Sequence, residues 1–247
     1  MALAWASPAA AQQLDYADVW SPRLAYERVG ETTQPSENGQ VREYYFDQME
    51  LAFADGEDGY GWDLSARIGG PRHRIWLGAI GEGTLGGALD YLELQALYSR
   101  AVSENWDVQA GLRFDARPQP NRAWLMAGAQ GNATEHLYLG AFGFLSHQGE
   151  AAARLYALWD IPLAEQLILQ PSGEANFLAQ DIAALGLGRG LAYGEAGLRL
   201  RYQPREWFAP YVGVEWTRDF GRTARFTRAA GDDPSGRAFL VGLRSWF

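Results

Sequence analysis

Carboxylates and arginines occupy the polar positions of an alternating pattern that runs through most of this chain. The acids are Glu50, Asp63, Glu93, Asp107, Asp115, Asp160, Glu174, Glu195 and Glu215. The bases are Arg67, Arg74, Arg113, Arg122, Arg154, Arg199, Arg201 and Arg244. Guanidinium forks grip carboxylates bidentately and suit partly buried pairs. Near-equal opposite charge on one face therefore predicts a cross-linked interior, not a solvated surface. No lysine occurs in the chain, although lysine is expected on a water-facing surface. Inward carboxylates also offer a weak path for cations, with Glu50, Glu93, Glu174, Glu195 and Glu215 as the candidates. Arg67, Arg113, Arg154 and Arg199 are their expected structural partners.

Other groups promise less. Met126 falls on the same inward face, beside Trp124, and its thioether is a soft donor suited to Cu(I); a single methionine also packs well. The histidines, His73, His136 and His147, show no convergent spacing for a metal site or a triad. Ser146 points to the face opposite His147. A lipid hydrolase is thus the weakest reading, and the expectation is that the protein is not an enzyme. Gly81-Glu82-Gly83-Thr84-Leu85-Gly86 matches a dinucleotide fingerprint, but a strand follows where a helix is needed, so a flexible loop is expected. Asp55, Glu57 and Asp58 fail as a calcium loop because the twelfth position is Ala66.

The elements that position these side chains are strands. In Asp107-Val108-Gln109-Ala110-Gly111-Leu112-Arg113-Phe114-Asp115, apolar and polar residues take turns, and successive strand side chains point to opposite faces. Twelve such segments are expected, near 44–54, 61–69, 73–82, 88–100, 105–116, 122–131, 136–146, 151–161, 165–178, 191–203, 207–218 and 237–247. Turn residues separate them and no amphipathic helix interrupts them, so neighbours should pair as antiparallel hairpins.

Composition narrows the setting. The chain has 247 residues, a net charge of −9 and no cysteine, which excludes disulfides and thiolate chemistry. The acidic balance argues against nucleic acid as a partner. No apolar run is long enough for a helical span, but membrane strands are only half apolar. A membrane barrel turns its oily face outward and its polar face inward. The cross-linked polar face points to that choice, as do small apolar residues opposite it, such as Leu92, Leu94 and Ala96. Tyr60, Trp62, Trp106, Trp159, Tyr202, Trp207 and Phe208 lie near strand ends, where interfacial girdles form.

The predicted fold is all-β: an antiparallel transmembrane β-barrel of the outer-membrane type with about twelve strands. Because an even number lets both ends emerge in the periplasm, ten is the alternative count if one of the first three segments is not in the barrel. Links after strands 9 and 11, at 179–190 and 219–236, are the longest and should be external. Residues 1–11 read as a signal-peptide remnant whose basic start is missing, with Ala9-Ala10-Ala11 as cleavage site. Residues 12–43 read as a polar periplasmic extension, and 44–247 as the barrel. Phe247 ends an apolar-alternating strand and resembles the aromatic insertion signal of outer-membrane proteins; Ser245 departs from that pattern.

Several strings together resemble the copper resistance protein B family. They are Tyr-Tyr-Phe-Asp-Gln-Met-Glu-Leu at 44–51, Leu-Gln-Ala-Leu-Tyr-Ser-Arg-Ala at 94–101 and Trp-Asp-Val-Gln-Ala-Gly-Leu-Arg-Phe-Asp at 106–115. Leu-Ile-Leu-Gln-Pro at 167–171, Glu-Ala-Gly-Leu-Arg-Leu-Arg-Tyr at 195–202 and Phe-Ala-Pro-Tyr-Val-Gly-Val-Glu-Trp at 208–216 follow in order. The resemblance implies a cell outer-membrane barrel that binds copper or moves it across that membrane. It implies as partners the outer-membrane lipids, the outer-membrane assembly machinery and a periplasmic multicopper oxidase. A monomer is expected. The chain departs from the family pattern where inward glutamates give way to Tyr138, Gly140, Tyr156 and Leu158, and where 12–43 carries no methionine or histidine. A small general porin, or a structural barrel without metal preference, is the competing reading.

Overall fold

The computed structural model describes residues 41–54 and 56–247. The signal remnant, the extension up to residue 40, and Asp55 lie outside the described residues.

Thirteen strand segments follow one another. They are β1 (Val41–Ala54), β2 (Gly59–Gly69), β3 (His73–Thr84), β4 (Leu89–Ala101), β5 (Trp106–Arg117), β6 (Arg122–Asn132) and β7 (Leu137–Ser146). Then come β8 (Ala151–Trp159), β9 (Ile161–Ala164), β10 (Leu167–Leu178), β11 (Gly190–Tyr202), β12 (Phe208–Asp219) and β13 (Ser235–Trp246). β8 and β9 are two pieces of one stave interrupted at Asp160, since both pair with β10. Every neighbouring pair is antiparallel, and β13 pairs with β1 to close a barrel of twelve staves. Closure leaves no free sheet edge. β7, with 10 residues, and β1, with 14, both reach the length that a tilted spanning strand needs.

β5 shows which face looks where. Asp107, Gln109, Arg113 and Asp115 are buried, while Leu112 is 59% exposed and Phe114 40%. The same inversion recurs at Leu125, Leu155, Val212 and Trp216. An oily exterior around a charged interior is stable only where the surrounding solvent is hydrocarbon. Trp159, Tyr202 and Trp207 stand exposed near the short-turn end, as a girdle requires. Tyr60 and Trp62 stack at 6.0 Å at the opposite end.

Four details differ from the sequence reading. First, β1 begins at Val41, so Glu43 already belongs to the wall. Second, a bulge at Asp47 shifts the β1–β2 register between Phe46 and Gln48. The extra residue changes parity, so Glu43, Tyr45 and Asp47 face inward below the bulge and Glu50 above it. Third, a helix, α1 (Thr223–Ala230), stands inside the last long loop. Gly231 ends it at φ 99°, where a left-handed residue can bond back to the last carbonyls. Fourth, the glycine-rich 81–86 string is mostly strand. The rings of Trp62 and Tyr60 lie where side chains at Gly81 and Gly83 would stand, and only Gly86, at φ 81°, sits in the turn.

Candidate functional site

The interior of the barrel is the candidate site. Its central network joins five staves. On β4, Glu93 accepts the Tyr91 hydroxyl at 2.5 Å and the Gln95 amide. Arg113 on β5 meets Glu93 at 2.9 Å and Asp115 at 2.7 Å. Trp124 donates its indole N–H to Asp115 at 2.7 Å. Arg154 reaches from β8 across the lumen to Glu93 at 3.4 Å, and also holds Glu174 of β10 at 3.3 Å. Asn176 donates to Glu174 at 2.7 Å.

A second network lies on the other side. Arg199 forks onto Glu50 at 2.7 and 3.1 Å and holds Glu215 at 3.0 Å. The Tyr211 hydroxyl donates to Glu50 at 2.5 Å. Toward the short-turn end, Arg201 pairs with Asp160 at 2.8 Å and Arg244 with Asp47 at 3.1 Å. Arg67 pairs with Glu43 and donates to Tyr45 at 2.5 Å. Arg74 faces Asp107 at 3.5 Å. Buried charges hold in place only when paired and hydrogen-bonded in this way.

Between these networks the lumen is filled by rings. Trp76, Leu97, Trp124, Met126, Tyr138, Phe142, Phe144, Tyr156 and Leu158 form one buried cluster. Glycines on adjacent staves make the room. The Phe142 ring lies against Gly128, the Tyr156 ring against Gly140 and the Tyr211 ring against Gly242, each where a Cβ would stand. Arg113 and Arg154 stack on Phe144 at 5.1 and 5.6 Å.

The long-loop end is more open. A cavity of about 860 Å³ is lined there by Glu174, Glu195, Thr217, Arg218, Phe220 and Asp233 among others. Glu174 and Glu195 are direct cross-strand partners in the β10–β11 register. α1 is tied over this end: Thr223 accepts the Gly188 N–H at 2.9 Å, and Thr227 donates to Asp219 at 2.5 Å. At the same end, Arg122 forks onto Glu150 at 2.8 Å through both nitrogens. Burial pushes the Glu150 carboxyl up, but hydrogen bonds from Arg122 and Ser146 outweigh this and hold it below the usual glutamate range.

Each sequence candidate can now be placed. Glu50, Glu93, Glu174, Glu195, Glu215 and Met126 all face the lumen and are buried. They do not converge: Glu50 and Glu215 share Arg199, Glu93 and Glu174 share Arg154, and Met126 sits among the aromatic rings. Among the described residues no three His, Cys, Asp or Glu side chains are grouped to hold a metal ion. His73 contacts Tyr98, His136 contacts Glu135, and His147 lies against the Ala123 backbone, at separate places. Phe247 is 64% exposed and packs on the rings of Tyr44 and Phe46 at 5.9 and 5.6 Å. Alternation counted back from Glu50 misses Asp47, because one inserted residue hides it. It also misses the ring-on-glycine filling, although each inward glycine in a strand marks a place where something approaches closely.

Residues 40–247 match the family described as copper resistance protein B precursor. A copper resistance protein B homolog from Pseudomonas syringae pv. tomato is 44% identical over 205 residues, covering 82% of this chain and 69% of that protein. Copper resistance protein B from Escherichia coli is 42% identical over 201 residues, covering 81% of this chain and 68% of its own. Among solved structures, the NanC porin superposes with a TM-score of 0.55 at 13% identity, covering 80% of this chain and 98% of the porin chain. At that identity the likeness concerns the fold alone.

Proposed function

The chain belongs to the copper resistance protein B family, and from that premise we propose that this outer-membrane barrel takes copper ions into its external cavity and holds or passes them on, without catalysing a reaction. The observation that carries this reading is the cross-strand pairing of Glu174 with Glu195 at the lining of that cavity. Arg154 holds Glu174 at 3.3 Å, and two carboxylates directly opposite one another at the cavity wall still favour a cation placed near both. Oxygen donors bind copper less tightly than imidazole or thiolate sets, which suits transient handling better than storage. Met126 is 2% exposed within the ring cluster, so we assign it to packing. The outer-membrane assembly machinery and a periplasmic multicopper oxidase are the partners that go with this reading.

The competing reading, a small general porin, draws on the porin-like fold. The bond from Arg154 across to Glu93 and the ring cluster between β3 and β8 speak against free solute passage. A deletion strain separates the two. The copper reading expects loss of copper tolerance with zinc and osmotic tolerance intact, restored by the wild-type gene but not by E174Q/E195Q. Unchanged copper tolerance in the deletion strain overturns it.

A further inference from the structure

The arginines of the interior are engaged with carboxylates, whereas a group on the outside pairs with none among the described residues. Arg42, Arg72, His73 and Arg100 are exposed around the short-turn ends of β1 to β4. His73 and Arg100 are direct cross-strand partners on the outer face. The Arg72 carbonyl accepts the Ala101 N–H at 3.0 Å, which sets the Arg72 turn beside that pair. Arg42 stands in the row of Ile68, Ile75 and Tyr98, two staves away. The remaining short turns carry exposed Glu104, Glu135, Glu165 and Glu206, with Arg205 balancing only Glu206, so net positive charge gathers on the β1–β4 side of this rim.

The level of the patch identifies what it meets. Along β3, Ile75 is the next outward residue after His73, and it is 47% exposed. One such step is about 7 Å. Tyr98, also 47% exposed, bonds its hydroxyl to His73 Nδ1 at 2.5 Å. Tyrosine with an oily body and a polar tip marks the boundary between acyl chains and headgroups. The Arg72 and Arg100 guanidinium groups therefore stand at headgroup depth, on the end where short turns place the periplasm, and Arg42, one row deeper, reaches that depth along its apolar stem. Guanidinium forks match phosphate oxygens bidentately.

We propose that Arg42, Arg72, His73 and Arg100 form a docking surface for an anionic glycerophospholipid of the periplasmic leaflet, with Tyr98 and Ile75 against its acyl chains. Charge complementarity and this position at the edge of the apolar band carry the assignment. The lipid fixes the depth and rotation of the β1–β4 side of the barrel, a role separate from metal handling in the lumen.

The test uses full-length protein in phosphatidylcholine nanodiscs containing a minority of phosphatidylglycerol. Native mass spectrometry then counts the lipid retained. Wild type should retain phosphatidylglycerol over phosphatidylcholine by about tenfold, the value of one charge-assisted contact. R72Q/R100Q should lose that preference, and R189Q, in an external loop, should keep it. A heat-dependent shift in gel mobility verifies that each variant is folded. Retention by R72Q/R100Q equal to wild type, or no preference in wild type, overturns the proposal. If the double variant keeps its lipid and instead changes oligomeric mass, the patch joins two copies of the chain and the lipid assignment falls.

Discussion

From β6 to β8 the inward side chains are mostly rings and aliphatics, including Trp124, Tyr138, Phe142, Tyr156 and Leu158. Along β11 to β1 they are largely ionic, with Arg199, Glu215, Arg244, Asp47 and Glu50. The two walls enclose one lumen but are held by different forces. Rings on glycines gain dispersion and lose little if a neighbour is removed beyond the void left behind. Buried ion pairs are all-or-none, because deleting one member strands the other. Tyr138, Gly140, Tyr156 and Leu158 all face the lumen on the ring-lined wall. β6, β7 and β8 carry no carboxylate, and rings fill that part of the wall.

That contrast can be broken from either wall. The largest effect is expected from Arg199→Ala, which strands Glu50 and Glu215 and should cost about 3–5 kcal/mol. Thermal unfolding in detergent reads this, and R199M/E50Q/E215Q should recover most of the loss. A triple variant as unstable as the single one would mean that packing, not charge, holds this wall. On the ring wall, Phe142→Ala should cost about 3 kcal/mol, with little salt dependence. It should also raise single-channel conductance in planar bilayers; unchanged conductance would show that the rings do not block the lumen. Gly140→Ala adds a Cβ into the Tyr156 ring and should cost about 1–3 kcal/mol by overpacking. Pairing it with Tyr156→Phe should relieve nothing, because the clash includes the ring itself.

The smallest effect is a pH dependence at the external rim. The folded Glu150 carboxyl is held below its ordinary value of 4.5, so its pairing with Arg122 contributes fully above that pH. The contribution disappears as pH falls through the lowered folded value. The melting difference between wild type and E150Q should therefore be present at neutral pH and close in acid. A difference that is constant with pH would remove the ion pair from the explanation.

Much of the wall was legible in the residues alone. The period-2 pattern set the strand number and the inward face, because a one-residue slip would turn every arginine toward lipid. Glu93, Arg113, Arg154, Glu174, Arg199 and Glu215 were placed correctly by parity. Asp47 was not, since a bulge inserts one residue without any composition signal. Asp160 was seen as inward, but not as the break that splits β8 from β9. α1 was hidden in a loop because eight residues are too few to show a helical period.

The sequence by itself determined a closed antiparallel wall, oily outside and charged within, because side-chain alternation along a strand is a local property. Which charge meets which was decided only in three dimensions. Arg154 finds Glu93, 61 positions away, and Arg199 finds Glu50, 149 positions away. Those partners depend on the stagger and closure of the whole ring, and no short stretch of chain contains that information.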